Sequence, residues 1–341
     1  MAKATYNIYK LHFTAPLHIA DTHEEEGYSL KTIQSDTLYA ALMSCLAKTG
    51  ASLPDNGELG LTVSSLFPFF QRGKEDDPIY FLPIPMQANS LELSDVAMAK
   101  KVKRLQWIDS EIYSDFLLGK NPFDGSADYY PYIQDSYLSK STLPEDSNGS
   151  REFVRSEVSQ RVTLQSRTEG EDAKPYYLDK IIFKYESGMY FLAKGDIQLL
   201  EKALGMLSNE GIGTDRNVGF GYFDYSSDCL QLDIPDDADH QMALSILIPE
   251  SQEQLDELLA SDKVAYDFIR RGGWITTYPY TTLRKNAIYG FLPGSVLSKS
   301  SCMNDIIGKI VNLKPEIGDL TPDHPIWRNG KAIMLPVNLK Q

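Results

Sequence analysis

Four glycines, Gly211, Gly213, Gly219 and Gly221, bracket a polar run of Thr214, Asp215, Arg216 and Asn217 in the stretch EGIGTDRNVGFGYFDY, residues 210–225. Glycine-rich loops do chemistry by offering main-chain N–H groups to an anion, most often a phosphate. Two nucleotide loops fail on spacing. A dinucleotide fingerprint needs GxGxxG leading into a helix, and Arg216 stands at the third glycine position. A Walker loop needs GK[ST], which does not follow, and the run leads toward a strand rather than a helix N-terminus. Two uses remain. One is a sharp helix-to-strand turn, where glycine supplies backbone conformations closed to other residues. The other is docking of an RNA backbone. Absent side chains would let the strand approach, Arg216 would meet a phosphate, and Thr214 and Asn217 would reach sugar hydroxyls or base edges.

Other catalytic chemistry finds little support. The five histidines are His12, His18, His23, His240 and His324, and HEEEG at 23–27 is not HExxH. No His/Cys cluster has the spacing of a zinc site, and no GxSxG elbow occurs. No cofactor or metal is expected. The basic run KKVKR, residues 100–104, reads as a solvated helix face or loop, with a role toward RNA secondary to that of Arg216. Tyr129, Tyr130, Tyr132 and Tyr137 cluster in DYYPYIQDSY, where they could stack bases, build a protein interface or simply pack.

The elements that must hold the loop follow from periodicity. TYNIYKLHF, residues 5–13, alternates as an opening strand. SDTLYAALMSCLAK reads as a helix, capped by Ser35 or Asp36, with Leu38, Leu42 and Leu46 on one face. Residues 50–150 read as an irregular insertion with short helical pieces near 94–118. RVTLQS, YYLDKIIFKYE and MYFLAKG read as strands, the first two joined by a polar hairpin tip. GDIQLLEKALGMLSN is the clearest helix, capped by Asp196, with a buried stripe of Ile197, Leu200, Leu204 and Leu207. After the glycine loop come two strands, YFDY and CLQLDI.

That order predicts an α+β fold of two ferredoxin-like βαββαβ domains. The first spans 1–234 and carries the 50–150 insertion and the glycine-rich loop. A break at PDDADH opens a smaller second domain, 241–341. Its expected strands are QMALSILI, GGWITTY and NAIYGFLPGSVLSK, its helix SQEQLDELLAS, and its closing hairpin PIWRNGKAIMLPV, turning at Asn329-Gly330.

The 341 residues are 42% hydrophobic and 23% charged, the balance of a globular chain. No apolar run reaches membrane-spanning length, and no signal-peptide core opens the chain, so no membrane contact and a cytoplasmic location are expected. Cys45, Cys229 and Cys302 are too scattered for a disulfide framework. The net charge is −14, from 33 basic and 47 acidic residues, which alone opposes nonspecific nucleic-acid binding. The charges are segregated, however. Acid runs through IPDDAD and SQEQLDELLASD, and base through KKVKR, Arg151, Arg155, Arg161, Arg167, Arg270, Arg271, Arg284 and Lys285. A basic face on an acidic body is compatible with that pattern.

GIGTDRNVGFGYF after an amphipathic helix resembles the glycine-rich loop of the RAMP superfamily of CRISPR proteins. LHFTAPLHI followed by IQSDTLYAAL, the segment VTLQSRTEGEDAKPYYLDKIIFKYESGMYFL, and GFLPGSVLSK narrow the resemblance to the fourth-subunit family of the Csm, or type III-A, effector complex. The resemblance covers most of the chain and fades across 50–150. It implies a noncatalytic RNA-binding subunit that holds the 5′ tag of the CRISPR RNA, beside the large Palm-domain subunit and the backbone RAMP subunit, meeting target RNA only indirectly. The Palm subunit carries GGDD; this chain has no such motif and is not expected to be a cyclase. The glycine loop with Ser35, Asp36 and Arg161 would grip the tag, and the hairpin from Arg167 to Lys174 would serve as a thumb against the guide–target duplex. The alternative implied by the same superfamily is a metal-independent CRISPR-RNA-processing endoribonuclease, with His18 as general acid or base.

Overall fold

The computed structural model describes residues 2–20, 28–86, 96–121, 132–145, 149–163, 174–299 and 305–339. Strand β1 (Ala2–Phe13) opens the chain and helix α1 (Ser35–Lys48) follows. The N-cap of α1 is Gln34, extended at φ −72° and ψ 149°, with no side-chain cap bond. Ser35 and Asp36, expected to cap, are instead the first helical residues and are buried.

Within the stretch expected to be irregular, the described residues are well organised. Strands β2 (Leu61–Val63), β3 (Phe67–Phe70) and β4 (Ile79–Pro83) lead to helix α2 (Val96–Val102), then to β5 (Trp107–Asp109), α3 (Ser110–Leu117), β6 (Tyr132–Gln134) and β7 (Tyr137–Ser139). A long ribbon of β8 (Val154–Thr163) and β9 (Lys174–Phe183) comes next, then β10 (Gly188–Gly195), α4 (Ile197–Glu210) and β11 (Phe223–Ile234). The side chain of Asp196 caps α4 by accepting from the Leu199 N–H at 3.0 Å. The α4 stripe is Leu200, Ala203, Leu204 and Leu207, with Ile197 at its margin.

These strands form one sheet in the order β11-β1-β10-β3-β4-β5-β7-β6, with β2 also on β10. The first four neighbours are antiparallel, and β5–β7 is parallel. Where two strands were expected after the glycine loop there is one. β11 pairs with β1 without interruption from Phe13↔Phe223 to Ala2↔Ile234, so the polar Ser226–Asp228 stays in the ladder. Asp228 is held there by the Tyr80 hydroxyl at 2.6 Å and the Lys10 ammonium at 3.4 Å. Helices α1 and α4 pack on each other, burying Leu38, Leu42, Leu46, Leu200 and Leu204 in the core.

The second half holds β12 (His240–Ala243), α5 (Gln252–Leu258), β13 (Phe268–Arg271), β14 (Ile288–Phe291), β15 (Val296–Ser298), β16 (Ile306–Ile307), β17 (Ile310–Asn312), β18 (Trp327–Asn329) and β19 (Ala332–Val337). Its four-stranded sheet runs β15-β12-β19-β16, beside the pairs β13–β14 and β17–β18. Two expectations fail here. GGWITTY forms no strand, only the single bridge Trp274↔Arg284, before a 3-10 turn at Tyr280–Thr282. The Asn329-Gly330 hairpin does not form either. β18 pairs with β17, whereas β19 pairs with β12 and β16. Gly330 is a crossing point between sheets, where a Cβ would stand 2.4 Å from the Ile248 side chain.

Both halves feed one buried cluster. Met242, Leu244, Val296, Ile333 and Leu335 join the same core as Ile8 and Phe191. Backbone seams cross between them: the Ser65 N–H donates to Leu244 O at 2.9 Å, and the Ile246 N–H to Ser35 Oγ at 2.9 Å. Ser35 thus ties the halves together.

Candidate nucleic-acid interface

Helix α4 ends by folding its last N–H groups back, Gly211 N–H donating to Leu207 O at 2.8 Å. The loop neck is then closed by main-chain bonds. The Ile212 N–H donates to Gly221 O at 3.0 Å, and the Gly221 N–H to Pro16 O at 2.9 Å. The Thr214 N–H and hydroxyl both donate to His18 O, at 2.9 and 3.1 Å. At the tip, Arg216–Val218 makes one 3-10 turn, stabilised by Val218 N–H to Asp215 O at 3.0 Å. Asp215 is left-handed at φ 58°.

The glycines divide by cause. A Cβ on Gly221 would lie 2.0 Å from Ile212 O, so glycine there is demanded by the protein's own backbone. Gly211 and Gly213 are hemmed in likewise, by Phe220 O and His18 O. The expectation that all four keep room for RNA is therefore corrected. Only Gly219, left-handed at φ 93°, faces open space. The turn and the open tip coexist in one loop, and the tip exposes Thr214, Arg216, Asn217 and Val218. Arg216 makes no ion pair or side-chain hydrogen bond among the described residues.

Arg161, on β8, lies with its guanidinium 5.1 Å from the centre of the Phe220 ring, which joins the ribbon to the loop. Phe220 was not singled out from sequence; an aromatic between two glycines was the available signal. The ribbon is also clasped from the β1 side. Leu17 and Ile181 exchange main-chain bonds of 2.9 and 2.7 Å. His18 Nδ1 lies 2.7 Å from Asp179 O; a carbonyl only accepts, so Nδ1 carries the proton. The Asp179 carboxylate, 3% exposed, accepts from the Ser29 N–H at 3.1 Å and the Ser156 hydroxyl at 2.5 Å. His18 is itself 7% exposed, a structural position within this clasp.

Asp36 is corrected as a tag contact, because it is fully buried. Arg271 holds it through Nε at 2.7 Å and Nη2 at 2.9 Å, and Arg328 through Nη1 at 2.9 Å. Burial works to raise its carboxyl, but the two guanidinium groups outweigh that and hold it below the usual carboxylate range. Ser35, likewise buried, donates nothing to the surface. Of the basic residues in the second half, Arg271 and Lys285 turn inward, and Arg284 covers the Trp274 ring at 4.6 Å. Arg167 and residues 168–173 of the expected thumb lie outside the described residues; the ribbon leading to them is paired from Val154↔Phe183 to Thr163↔Lys174. Tyr129 and Tyr130 lie outside them as well, while Tyr137 packs between Phe81 and Phe153. Among the described residues no helix is long and apolar enough to cross a membrane, and no group of three or more His, Cys, Asp or Glu stands together as a metal site.

Residues 236–337 match the CRISPR Csm4 C-terminal domain family. Over 328 residues the chain is 28% identical to the CRISPR system Cms protein Csm4 of Mycobacterium tuberculosis strain H37Rv, covering 91% of this chain and 92% of that protein. The protein of the same description from Methanocaldococcus jannaschii is 22% identical over 314 residues, covering 77% and 80%. In fold the chain is similar to a chain of a Csm1-Csm4 cassette solved in complex with pppApA, with TM-score 0.58, 18% identity, and 99% and 100% of the two chains covered. It is also similar to a chain of the Csm3-Csm4 subcomplex of a type III-A CRISPR-Cas interference complex, with TM-score 0.57, 18% identity, and 98% and 100% covered. Sequence match across both halves, the domain match in the second and the shared fold agree: the chain is similar along its length to Csm4 proteins, and its second half matches the Csm4 C-terminal domain family.

Proposed function

We propose that this chain is a noncatalytic RNA-binding subunit that holds the 5′ tag of a CRISPR RNA and joins the large Palm-domain subunit to the backbone subunits. The observation that carries this reading is the loop tip. Arg216 and Asn217 stand exposed on a neck fixed by main-chain bonds to Pro16 and His18, with Arg161 brought alongside over Phe220. A pre-ordered loop with an unpaired guanidinium holds a phosphate without ordering cost, and phosphate contacts set the strand's register. The partners follow from relatives solved as Csm1-Csm4 and Csm3-Csm4 assemblies. The acidic remainder of the surface would face protein or solvent, which reconciles a charge of −14 with RNA binding.

Two ferredoxin-like units, 1–234 and 241–341, form part of the same proposal. The order β11-β1-β10-β3 with α1 and α4 supports the first. For the second, β19-β12-β15 repeats the order β11-β1-β10 of the first, with α5 after the first strand. The functional reading is tested by photocrosslinking a CRISPR RNA, labelled along its 5′ tag, to the complex of this chain with its two neighbouring subunits. Crosslinks to residues 214–220 are expected. Crosslinks confined to the other subunits would remove the loop from the tag site.

A further inference from the structure

A cavity of about 630 Å³ lies between the segment after β1 and the α2–β5 turn, away from the glycine loop. Its walls carry Lys31, Lys101 and Arg104, with Tyr28 at the rim and Trp107 at the base. The volume is in the range of small-ligand clefts. None of the three cations has an ion pair or side-chain hydrogen bond among the described residues. Tyr28 is 47% exposed, whereas Trp107 is 6% exposed and packs on Phe67.

The geometry is built. Lys101 lies in the last turn of helix α2, and the following turn closes with Arg104 N–H to Lys101 O at 3.0 Å and Leu105 N–H to Val102 O at 3.0 Å. Val102 and Leu105 are buried, so the turn anchors by its apolar residues and leaves Lys101 and Arg104 outward. The floor is rigid: the Gln106 and Trp107 N–H groups both donate to Ser136 O, at 2.9 and 3.1 Å. The opposite wall is pinned by Leu30 N–H to Ile19 O at 3.0 Å and Ser29 N–H to Asp179 at 3.1 Å. That is the clasp which, through His18, also holds the glycine loop.

We propose that this cleft binds a nucleotide of the same single-stranded RNA, its phosphates between Lys31, Lys101 and Arg104 and its base on Tyr28. Unpaired cations beside an open aromatic edge are the combination that binds single-stranded RNA: charge tracks the backbone and rings take the bases. Asp135 and Glu152 on the same rim are acceptors for exocyclic amino groups of a base, and they narrow the phosphate position to the basic wall. Two residues of the KKVKR run thereby have a ligand. The inference rests on the RNA-binding reading above and extends it to a second contact.

The test uses the full chain assembled with its neighbouring subunits and a fluorescein-labelled CRISPR RNA, titrated at several salt concentrations. The double variant Lys101→Ala/Arg104→Ala is expected to bind about tenfold more weakly, with a log K against log salt slope shallower by about 0.7 per lost phosphate. Tyr28→Ala is expected to weaken binding with the slope unchanged, and Tyr28→Phe to restore it. All three sites are at the surface, and unchanged melting temperatures confirm folding. Unchanged affinity and slope in the double variant, with Arg216→Ala weakened, overturn the cleft and leave the loop reading standing. A double variant that keeps RNA affinity but loses a partner subunit also overturns it, in favour of an acidic protein surface. A wild-type complex in which this chain makes no RNA contact sinks both.

Discussion

Arg271 and Asp36, 235 residues apart, meet in a two-pronged contact of 2.7 and 2.9 Å, with Arg328 closing on the same carboxylate at 2.9 Å. The carboxylate is wholly buried at the start of α1, so the pair locks the first helix to the second half of the chain. Asp36→Asn leaves two guanidinium groups without their counter-charge. The expected loss is about 3–5 kcal/mol, the cost typical of breaking a buried ion pair from one side. Urea unfolding checks it. The wild-type contribution has an acid limit: the folded carboxyl titrates below its unfolded range, so this stability is present above the unfolded value and fades as pH falls through the folded one. A loss below 1 kcal/mol would show that the contact is dispensable.

Lys285 sits beside that network. Burial first, and then Arg328, draw its ammonium down from 10.5 to about 8, with Asp36 opposing. The unfolded chain therefore binds more protons than the folded one between about pH 8 and 10.5, and stability rises with pH across that window. Lys285→Met removes the buried charge and is expected to melt higher than wild type at neutral pH. The advantage should shrink as pH climbs toward 10.5. A variant that melts lower at neutral pH would mean that attraction to Asp36 outweighs desolvation.

Much of the first half was legible in sequence because its signals are local. The helix over Ser35–Lys48 and the helix capped by Asp196 each declare themselves within one or two turns. Asp36 did not, since a Ser-Asp pair opening a helix looks the same whether its partner is a sugar hydroxyl or an arginine 292 residues on. Asn329-Gly330 carries a strong hairpin signal, yet β17 and β12 lie ready as partners for the two flanking strands, and tertiary pairing wins. The three-residue strands β2, β5, β6 and β7 are too short for any period to show. At the loop, sequence found the turn but left most of its glycines free for a ligand, because crowding by Phe220, His18 and Ile212 is visible only in space.

His18 separates the structural from the catalytic role. Its Nδ1 proton is committed to Asp179 O at 2.7 Å. His18→Ala is expected to destabilise the clasp by about 1–3 kcal/mol, as one buried carbonyl loses its partner. CRISPR-RNA product lengths in the assembled complex should stay as in wild type. Loss of maturation with the fold intact would restore the ribonuclease alternative.

The loop glycines give a paired contrast. Gly221→Ala places a Cβ 2.0 Å from Ile212 O and is expected to yield unfolded or aggregated protein. Gly219→Ala meets nothing within 4 Å and bears only the left-handed backbone, about 1–2 kcal/mol. Equal thermal shifts in the two variants would contradict the division between neck and tip.

The most direct measurement is the salt dependence of CRISPR-RNA binding by the complex carrying Arg216→Ala. Arg216 is exposed and unpaired among the described residues, so its removal should leave the melting temperature unchanged. A single lost phosphate contact predicts weaker binding and a log K against log salt slope shallower by about 0.7, with little dependence on base identity. Affinity and slope equal to wild type would take the loop tip out of the RNA site and contradict the account.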